Sequence, residues 1–267
     1  MSPAVEFVTV DWSGRSVRLE YQWLAPERAA APLIIFLHEG LGSLSMWRDF
    51  PQQLCDAVGA RGLVYSRPGY GQSTPRGADE VWGNDFMHQQ AHIVLPALLK
   101  ALGIDTEATP PWLLGHSDGG SIALLYAAQF PHSVAGLIVL APHTMVEDIT
   151  VDNIVKARTA YETTDLPQRL AKHHAQPDSA FWGWNRVWLS PEFRSWSIEN
   201  YLPKITAPIL AIQGLDDEYG TVQQVRGIAQ WAPQTQLLEI PQCGHSPHRD
   251  APQQVINAAF HCIHNHH

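Results

Sequence analysis

Six short runs of almost continuously apolar residues constrain the fold of this chain more than any other feature. They lie at 32–38, 62–67, 111–117, 134–142, 208–214 and 235–240, and most are separated by segments of helical length. Runs this short and this apolar are typical of parallel strands that are covered by helices on both faces of a sheet. The chain is therefore predicted to fold as an α/β protein with a mainly parallel sheet.

The regions outside these runs complete the predicted organisation. Residues 5–12 and 16–24 alternate in polarity around "SGR", which indicates an antiparallel hairpin. Helical spacing of apolar residues is found at 45–58, 85–102, 119–130, 221–231 and 250–263. Residues 143–203 contain no strand-like run but carry helical stretches and an aromatic patch, and a structureless loop of that length is uncommon. We expect a helical insertion at 143–203 over the carboxyl edge of the sheet, and a core formed by 1–142 and 204–267.

Composition argues against several functional classes. The formal net charge is −9 and no Lys/Arg cluster is present, so nucleic acid is not an expected partner. Cys55, Cys243 and Cys262 are too few and too scattered for a disulfide framework or a CxxC metal site. No apolar segment approaches the length of a membrane span, and the beginning of the chain lacks a signal-peptide pattern. We expect a cytoplasmic protein without a cofactor or a metal, and its oligomeric state stays open.

A candidate nucleophile lies in "GHSDGG" at 115–120. A predicted strand runs directly into a predicted helix here, and Gly115 and Gly119 flank Ser117 in the G-x-S-x-G pattern of a nucleophile elbow. Small flanking residues leave room for a strained serine, and the backbone amide of Asp118 at the start of the helix can stabilise an oxyanion. The alternative is an ordinary serine N-cap, and this motif alone does not decide between them.

A base and an acid occur at the ends of two later strands. His245 follows the run at 235–240, and His248 is a competing candidate that suits a polar position near the last helix. Asp216 and Asp217 follow the run at 208–214, where adjacent acids could also form only a solvated turn. The order Ser117, Asp217, His245 is the chain order of α/β-hydrolase triads.

With these residues in view, the chain resembles the α/β-hydrolase superfamily over essentially its whole length. The motifs that carry the resemblance are "LHEGLGS" (37–43), "SRPGYGQS" (66–73), "GHSDGG" (115–120), "GLDD" (214–217) and "GHSPH" (244–248). The resemblance implies an α/β-hydrolase fold: an eight-stranded, mostly parallel sheet flanked by helices, with a helical cap inserted after strand 6. Family spacing favours Asp217 over Asp216 as the acid.

One residue departs from the family pattern. Members commonly have glycine after the histidine that corresponds to His38, and this chain has Glu39. Alignment on "LGS" makes the amide of Gly40 the second oxyanion donor. A carboxylate that points inward would disfavour an anionic transition state, whereas a paired carboxylate would be structural, and we favour the structural interpretation.

The resemblance implies a serine hydrolase that cleaves a carboxylic ester or thioester through an acyl-enzyme. A lid over a catalytic serine has an apolar underside, so the substrate is expected to be a small, largely apolar molecule. The possible pocket residues are Glu39, His143, Trp182, Trp184 and Trp188. Alternatives on the same triad are C–C bond hydrolysis, lactone hydrolysis and a lyase reaction; the alternative from another class is a non-catalytic ligand-binding protein.

Overall fold

The computed structural model describes residues 4–77 and 80–266, which form one eight-stranded sheet with helices on both faces. The strands are β1 (Glu6–Trp12), β2 (Arg15–Leu24), β3 (Leu33–Leu37), β4 (Arg61–Tyr65), β5 (Trp112–His116), β6 (Gly136–Leu140), β7 (Ile209–Gly214) and β8 (Thr235–Ile240). Their order across the sheet is β1-β2-β4-β3-β5-β6-β7-β8. Strand β2 is antiparallel to both of its neighbours, and all other pairs are parallel. The predicted eight-stranded, mostly parallel sheet is confirmed.

Ten α-helices are described in these residues. They are α1 (Phe50–Val58), α2 (Phe86–Gln89), α3 (Leu95–Ala101), α4 (Asp118–Gln129), α5 (Asp148–Thr163), α6 (Leu166–Leu170), α7 (Pro177–Trp188), α8 (Gln223–Trp231), α9 (Pro247–Asp250) and α10 (Pro252–Asn265). A π-helical turn at Gln90–Val94 joins α2 to α3, and 3₁₀ turns occur at Leu44–Trp47, Pro191–Ser195 and Glu199–Lys204. The helix predicted over 45–58 is interrupted because Arg48 has a φ of 55°, which a right-handed helix excludes. None of the described helices is long and apolar enough to cross a membrane.

The central strands bury both of their faces. In β3, Leu33, Ile35 and Leu37 belong to a core shared with α3, α4 and the helices between β6 and β7. Ile34 and Phe36 point to the other face, where they pack in a core with α1 and α10. Successive side chains of a strand alternate between the two faces, so two apolar layers require apolar residues at every position.

The long segment between β6 and β7 begins and ends at neighbouring positions. Met145 pairs with Ser197 in an isolated antiparallel bridge, and the amide of Ile198 donates to the carbonyl of Thr144 at 2.8 Å. His174 ties the segment to the loops of the sheet. Its Nδ1 accepts from the amide of Gly71 at 2.9 Å, and its Nε2 donates to the carbonyl of Leu41 at 3.0 Å. These contacts close the segment at its base and attach it to the loops that follow β3 and β4.

Candidate active site

Ser117 occupies a sharp turn between β5 and α4. Its backbone has φ 53° and ψ −119°, a region that L-residues rarely adopt outside functional sites. A Cβ on Gly119 would overlap the carbonyl oxygen of Leu37, and a Cβ on Gly115 would overlap the backbone of Gly119. The Ser117 hydroxyl makes no capping hydrogen bond to α4 and contacts His245 instead. The geometry is that of a nucleophile elbow and differs from an ordinary N-cap.

His245 links this serine to a buried carboxylate. Its Nδ1 lies 2.9 Å from both carboxylate oxygens of Asp217, and its Nε2 lies 3.0 Å from Oγ of Ser117. Because a carboxylate only accepts, the proton of the neutral imidazole is on Nδ1, and Nε2 is free to accept from the serine hydroxyl.

Asp217 is held by several donors besides His245. The amide of Gln213 donates to Oδ2 at 2.6 Å, and the backbone amide of Tyr219 donates to Oδ1 at 2.7 Å. Burial alone would raise the pKa of the Asp217 carboxyl, but His245 and the backbone donor reverse this and lower the pKa below its ordinary value. The carboxylate therefore stays ionised, as a group that orients an imidazole and stabilises its cation must.

The competing candidates lie elsewhere. Asp216 is exposed to solvent, whereas its neighbour Asp217 is buried against His245. His248 is buried between Trp47 and His116, with ring centroids 5.0 Å and 4.7 Å away, and burial lowers its pKa well below the ordinary value. His248 is thus a neutral core histidine.

Two predicted amide donors flank the serine. Asp118 is the first residue of α4, where backbone amides lack partners within the helix, and Gly40 lies in the loop after β3. Both residues line the cavity that contains Ser117. A Cβ on Gly40 would overlap the indole of Trp184, so the α7 side chain packs directly on this loop.

The side chain of Asp118 belongs to an ion pair that the sequence analysis did not identify. Its Oδ2 lies 3.7 Å from Nη2 of Arg67, and each side chain is only 1% exposed. Burial raises the pKa of the Asp118 carboxyl, while the Arg67 guanidinium opposes that rise. Arg67 also donates to the carbonyl of Glu39 at 2.8 Å. The motif "SRPGYGQS" draws attention to Arg67 in the sequence, but it does not reveal that Asp118 is the partner of this arginine.

The cavity over Ser117 is small, about 120 Å³. Besides the serine, its lining includes Glu39, Gly40, Leu41, Asp118, His143, Thr150, Ile154, Trp184, Trp188, Tyr219 and His245. The ring of His143 is 5.7 Å from that of His245, and burial lowers the pKa of His143 to about 3, which keeps it neutral.

The predicted pocket tryptophans separate into two groups. Trp184 and Trp188 lie one helical turn apart on α7 and face the cavity. Trp182 points to the opposite side of the helix, where its ring is 5.6 Å from that of Tyr161 and is approached by the guanidiniums of Arg158 and Arg186. Its contacts are thus with other residues of the segment between β6 and β7, away from the cavity.

Glu39, the residue that departs from the family pattern, carries a paired carboxylate. Oε2 lies 3.6 Å from Nδ1 of His116, and Oε1 lies 3.5 Å from Nη2 of Arg249. Burial alone would raise the pKa of Glu39, but its contact with His116 lowers that pKa well below its ordinary value. Among the described residues, no group of three or more His, Cys, Asp or Glu side chains is arranged to hold a metal ion.

Comparisons with known proteins agree with this architecture. A family profile described as alpha/beta hydrolase fold matches residues 32–181. The sn-1-specific diacylglycerol lipase ABHD11 of Mus musculus is 27% identical over 91% of this chain and 84% of its own length. The 2-hydroxy-6-oxo-6-phenylhexa-2,4-dienoate hydrolase of Burkholderia cepacia is 23% identical over 91% of each chain. The crystal structure of the enol-lactonase from Burkholderia xenovorans LB400 superposes with a TM-score of 0.74 at 20% identity, covering 97% of this chain and 100% of the other. Together with the sheet order and the elbow at Ser117, the matched profile shows that this chain belongs to the α/β-hydrolase fold family.

Proposed function

We propose that the protein is a serine hydrolase that cleaves a carboxylic ester or thioester with a small, neutral acyl group. The observation that carries this proposal is the continuous contact from the Ser117 hydroxyl through His245 to the buried Asp217 carboxylate. The names of the two similar proteins, a lipase and a hydrolase, support hydrolysis as the reaction class.

The proposed reaction passes through an acyl-enzyme. Ser117 attacks the carbonyl carbon while Nε2 of His245 takes the hydroxyl proton, and the Asp217 carboxylate stabilises the resulting imidazolium. The backbone amides of Asp118 and Gly40 donate to the oxyanion of the tetrahedral intermediate. His245 then delivers its proton to the leaving alcohol or thiol, and a water activated by the same histidine hydrolyses the acyl-enzyme.

The cavity supports a small and uncharged acyl group. Ligand pockets are commonly about 300–1,000 Å³, and this one is about 120 Å³. The helices α5 and α7 supply an apolar roof, which includes Ile154, Trp184 and Trp188. The described residues that line the cavity include Glu39 and Asp118 but no lysine or arginine, so an acyl group that carries its own carboxylate would find no cationic side chain among them. In this proposal residues 143–203 act as a cap that sets the acyl length.

A panel of p-nitrophenyl esters tests the proposal. We expect a burst of p-nitrophenol, the highest kcat/KM for acyl chains of about two to four carbons, and labelling by a fluorophosphonate that depends on Ser117. The Ser117→Ala variant provides the blank for both measurements. Absence of labelling in folded wild-type protein would refute the proposal and favour a ligand-binding member of the fold.

C–C bond hydrolysis is the second candidate, and its support is the name of the Burkholderia cepacia relative. The same ester panel should include a vinylogous diketone and a lactone. Turnover of the diketone without turnover of any ester would replace ester hydrolysis with this candidate.

A further inference from the structure

The residue before the nucleophile is in contact with the backbone of the proposed base. Nε2 of His116 lies 2.6 Å from the carbonyl oxygen of His245. A carbonyl can only accept, so Nε2 of His116 carries the proton and donates it. The two imidazole rings are 5.2 Å apart, and the His116 side chain is 1% exposed. The last residue of β5 thus restrains the loop that carries His245.

The carboxylate of Glu39 contacts this arrangement from two directions. One oxygen lies 3.6 Å from Nδ1 of His116, a contact that is attractive when this nitrogen also carries a proton. The other lies 3.5 Å from Nη2 of Arg249, four residues after His245. Arg249 also donates to the carbonyl of Met46 at 3.0 Å. The segment 245–249 is therefore restrained near both ends by groups that Glu39 pairs with.

The main chain of Glu39 holds the other half of the proposed site. Its carbonyl accepts from the Arg67 guanidinium at 2.8 Å and from the amide of Gly42 at 3.0 Å, and this fixes the loop that contains Gly40. A Cβ on Gly42 would overlap the Glu39 carboxylate, so the side chain folds back closely under its own loop. One residue thus contacts both the loop of the second oxyanion amide and the partners of the base.

From these contacts we propose that Glu39 and His116 are positioning residues that set the distance between His245 and Ser117. The inference rests on the proposed hydrolase function. Glu39 orients the His116 ring, the His116 ring holds the His245 carbonyl, and the imidazole of His245 is thereby kept within reach of the serine hydroxyl. Because small displacements of a base strongly reduce proton transfer, the expected effect is on kcat rather than on substrate binding.

The test is a double-mutant cycle measured with the preferred p-nitrophenyl ester. Glu39→Gln should lower kcat at least tenfold and leave KM within twofold, and His116→Leu should do the same. His116→Gln should retain most of the rate, because its side-chain amide can still donate to the His245 carbonyl. Adding Glu39→Gln to His116→Leu should lower kcat by less than a further twofold, because the route through His116 is already lost and the remaining pair with the exposed Arg249 contributes little.

Controls separate this mechanism from general loss of folding. Thermal midpoints are measured for each variant, and Glu107→Gln removes an exposed carboxylate as a matched change. The inference would be overturned if kcat of Glu39→Gln were unchanged. It would also be overturned if kcat of the double variant fell by the product of the two single-variant losses. If Glu39→Gln does not fold, equal rates in His116→Leu and wild type overturn it. Wild-type protein that no fluorophosphonate labels would reject the proposed function itself, whereas a labelled wild type with uncoupled variants rejects only the positioning role.

Discussion

Replacement of Arg67 by methionine is expected to be strongly destabilising. The substitution keeps an apolar side chain of similar length but removes the guanidinium, and it leaves the Asp118 carboxyl buried without its cation. Breaking a buried ion pair in this way costs about 3–5 kcal/mol, because one charge remains in a low-dielectric site. The cation over the Tyr70 ring, 4.7 Å from its centroid, and the hydrogen bond to the Glu39 carbonyl are lost as well.

For domains of about 150–250 residues, each kcal/mol of lost stability lowers the thermal midpoint by about 2–4 °C. A loss of about 3–5 kcal/mol should therefore lower the thermal midpoint of this protein by roughly 6–20 °C. Differential scanning calorimetry and urea unfolding at pH 7.5 measure this loss. Asp118→Asn in the Arg67→Met background should recover part of the stability, since it removes the unpaired charge and keeps the backbone amide. Arg226→Met is the matched control, because it removes an exposed pair with Glu239 and should change the midpoint far less.

The loss should also depend on pH with a defined sign. Burial already raises the pKa of Asp118, and without Arg67 the folded-state pKa rises further. A group with a raised folded-state pKa contributes its stability in acid and loses it as pH rises, so the deficit of Arg67→Met should be smaller at pH 5 than at pH 7.5. A deficit below about 1 kcal/mol, or one that does not change between these pH values, would refute the reasoning.

Three further predictions follow from the site and the core. Gly119→Ala should abolish ester turnover and lower the thermal midpoint, because its Cβ would overlap the backbone of Leu37. The control Gly227→Ala lies in α8, where a Cβ meets nothing within 4 Å, and it should be neutral or stabilising by up to about 1 kcal/mol. Calorimetry and ester turnover are measured for both variants. Asp217→Asn should reduce kcat by about 10³–10⁴, while the exposed Asp216→Asn should stay within twofold of wild type, and equal losses would show that the acid is misassigned. Burial raises the pKa of Cys55 to about 12 and that of the two other cysteines to about 11, so Ellman's reagent should detect no thiol in the native protein and three in denaturant.

Sheet and elbow were predictable because their signals are local. A strand buried on both faces must be apolar at every position, and the turn at Ser117 needs glycine on each side within five residues. Such requirements can be recognised in short, continuous stretches of the sequence.

The surroundings of the site depend on contacts between distant loops. Arg67 lies in the loop after β4 and Asp118 begins α4, and the partners of Glu39 come from β5 and α9. Trp182 illustrates the same limit, because helical spacing separates it from Trp184 and Trp188 but does not say which side of α7 faces the sheet. Contacts between residues on distant segments depend on the path of the chain in three dimensions. The spacing of apolar residues along the sequence does not give this path.

The backbone of Ser117, the nucleophile of the proposed mechanism, restricts which residues could replace it. A positive φ is tolerated by an unbranched side chain but is strongly unfavourable for a β-branched one. Threonine would therefore preserve the hydroxyl and still be rejected by the fold, whereas cysteine would fit the turn and present a thiol to the same imidazole. Of the two replacements for Ser117, cysteine is therefore the one that the backbone of this turn accepts, although threonine is chemically closer to serine.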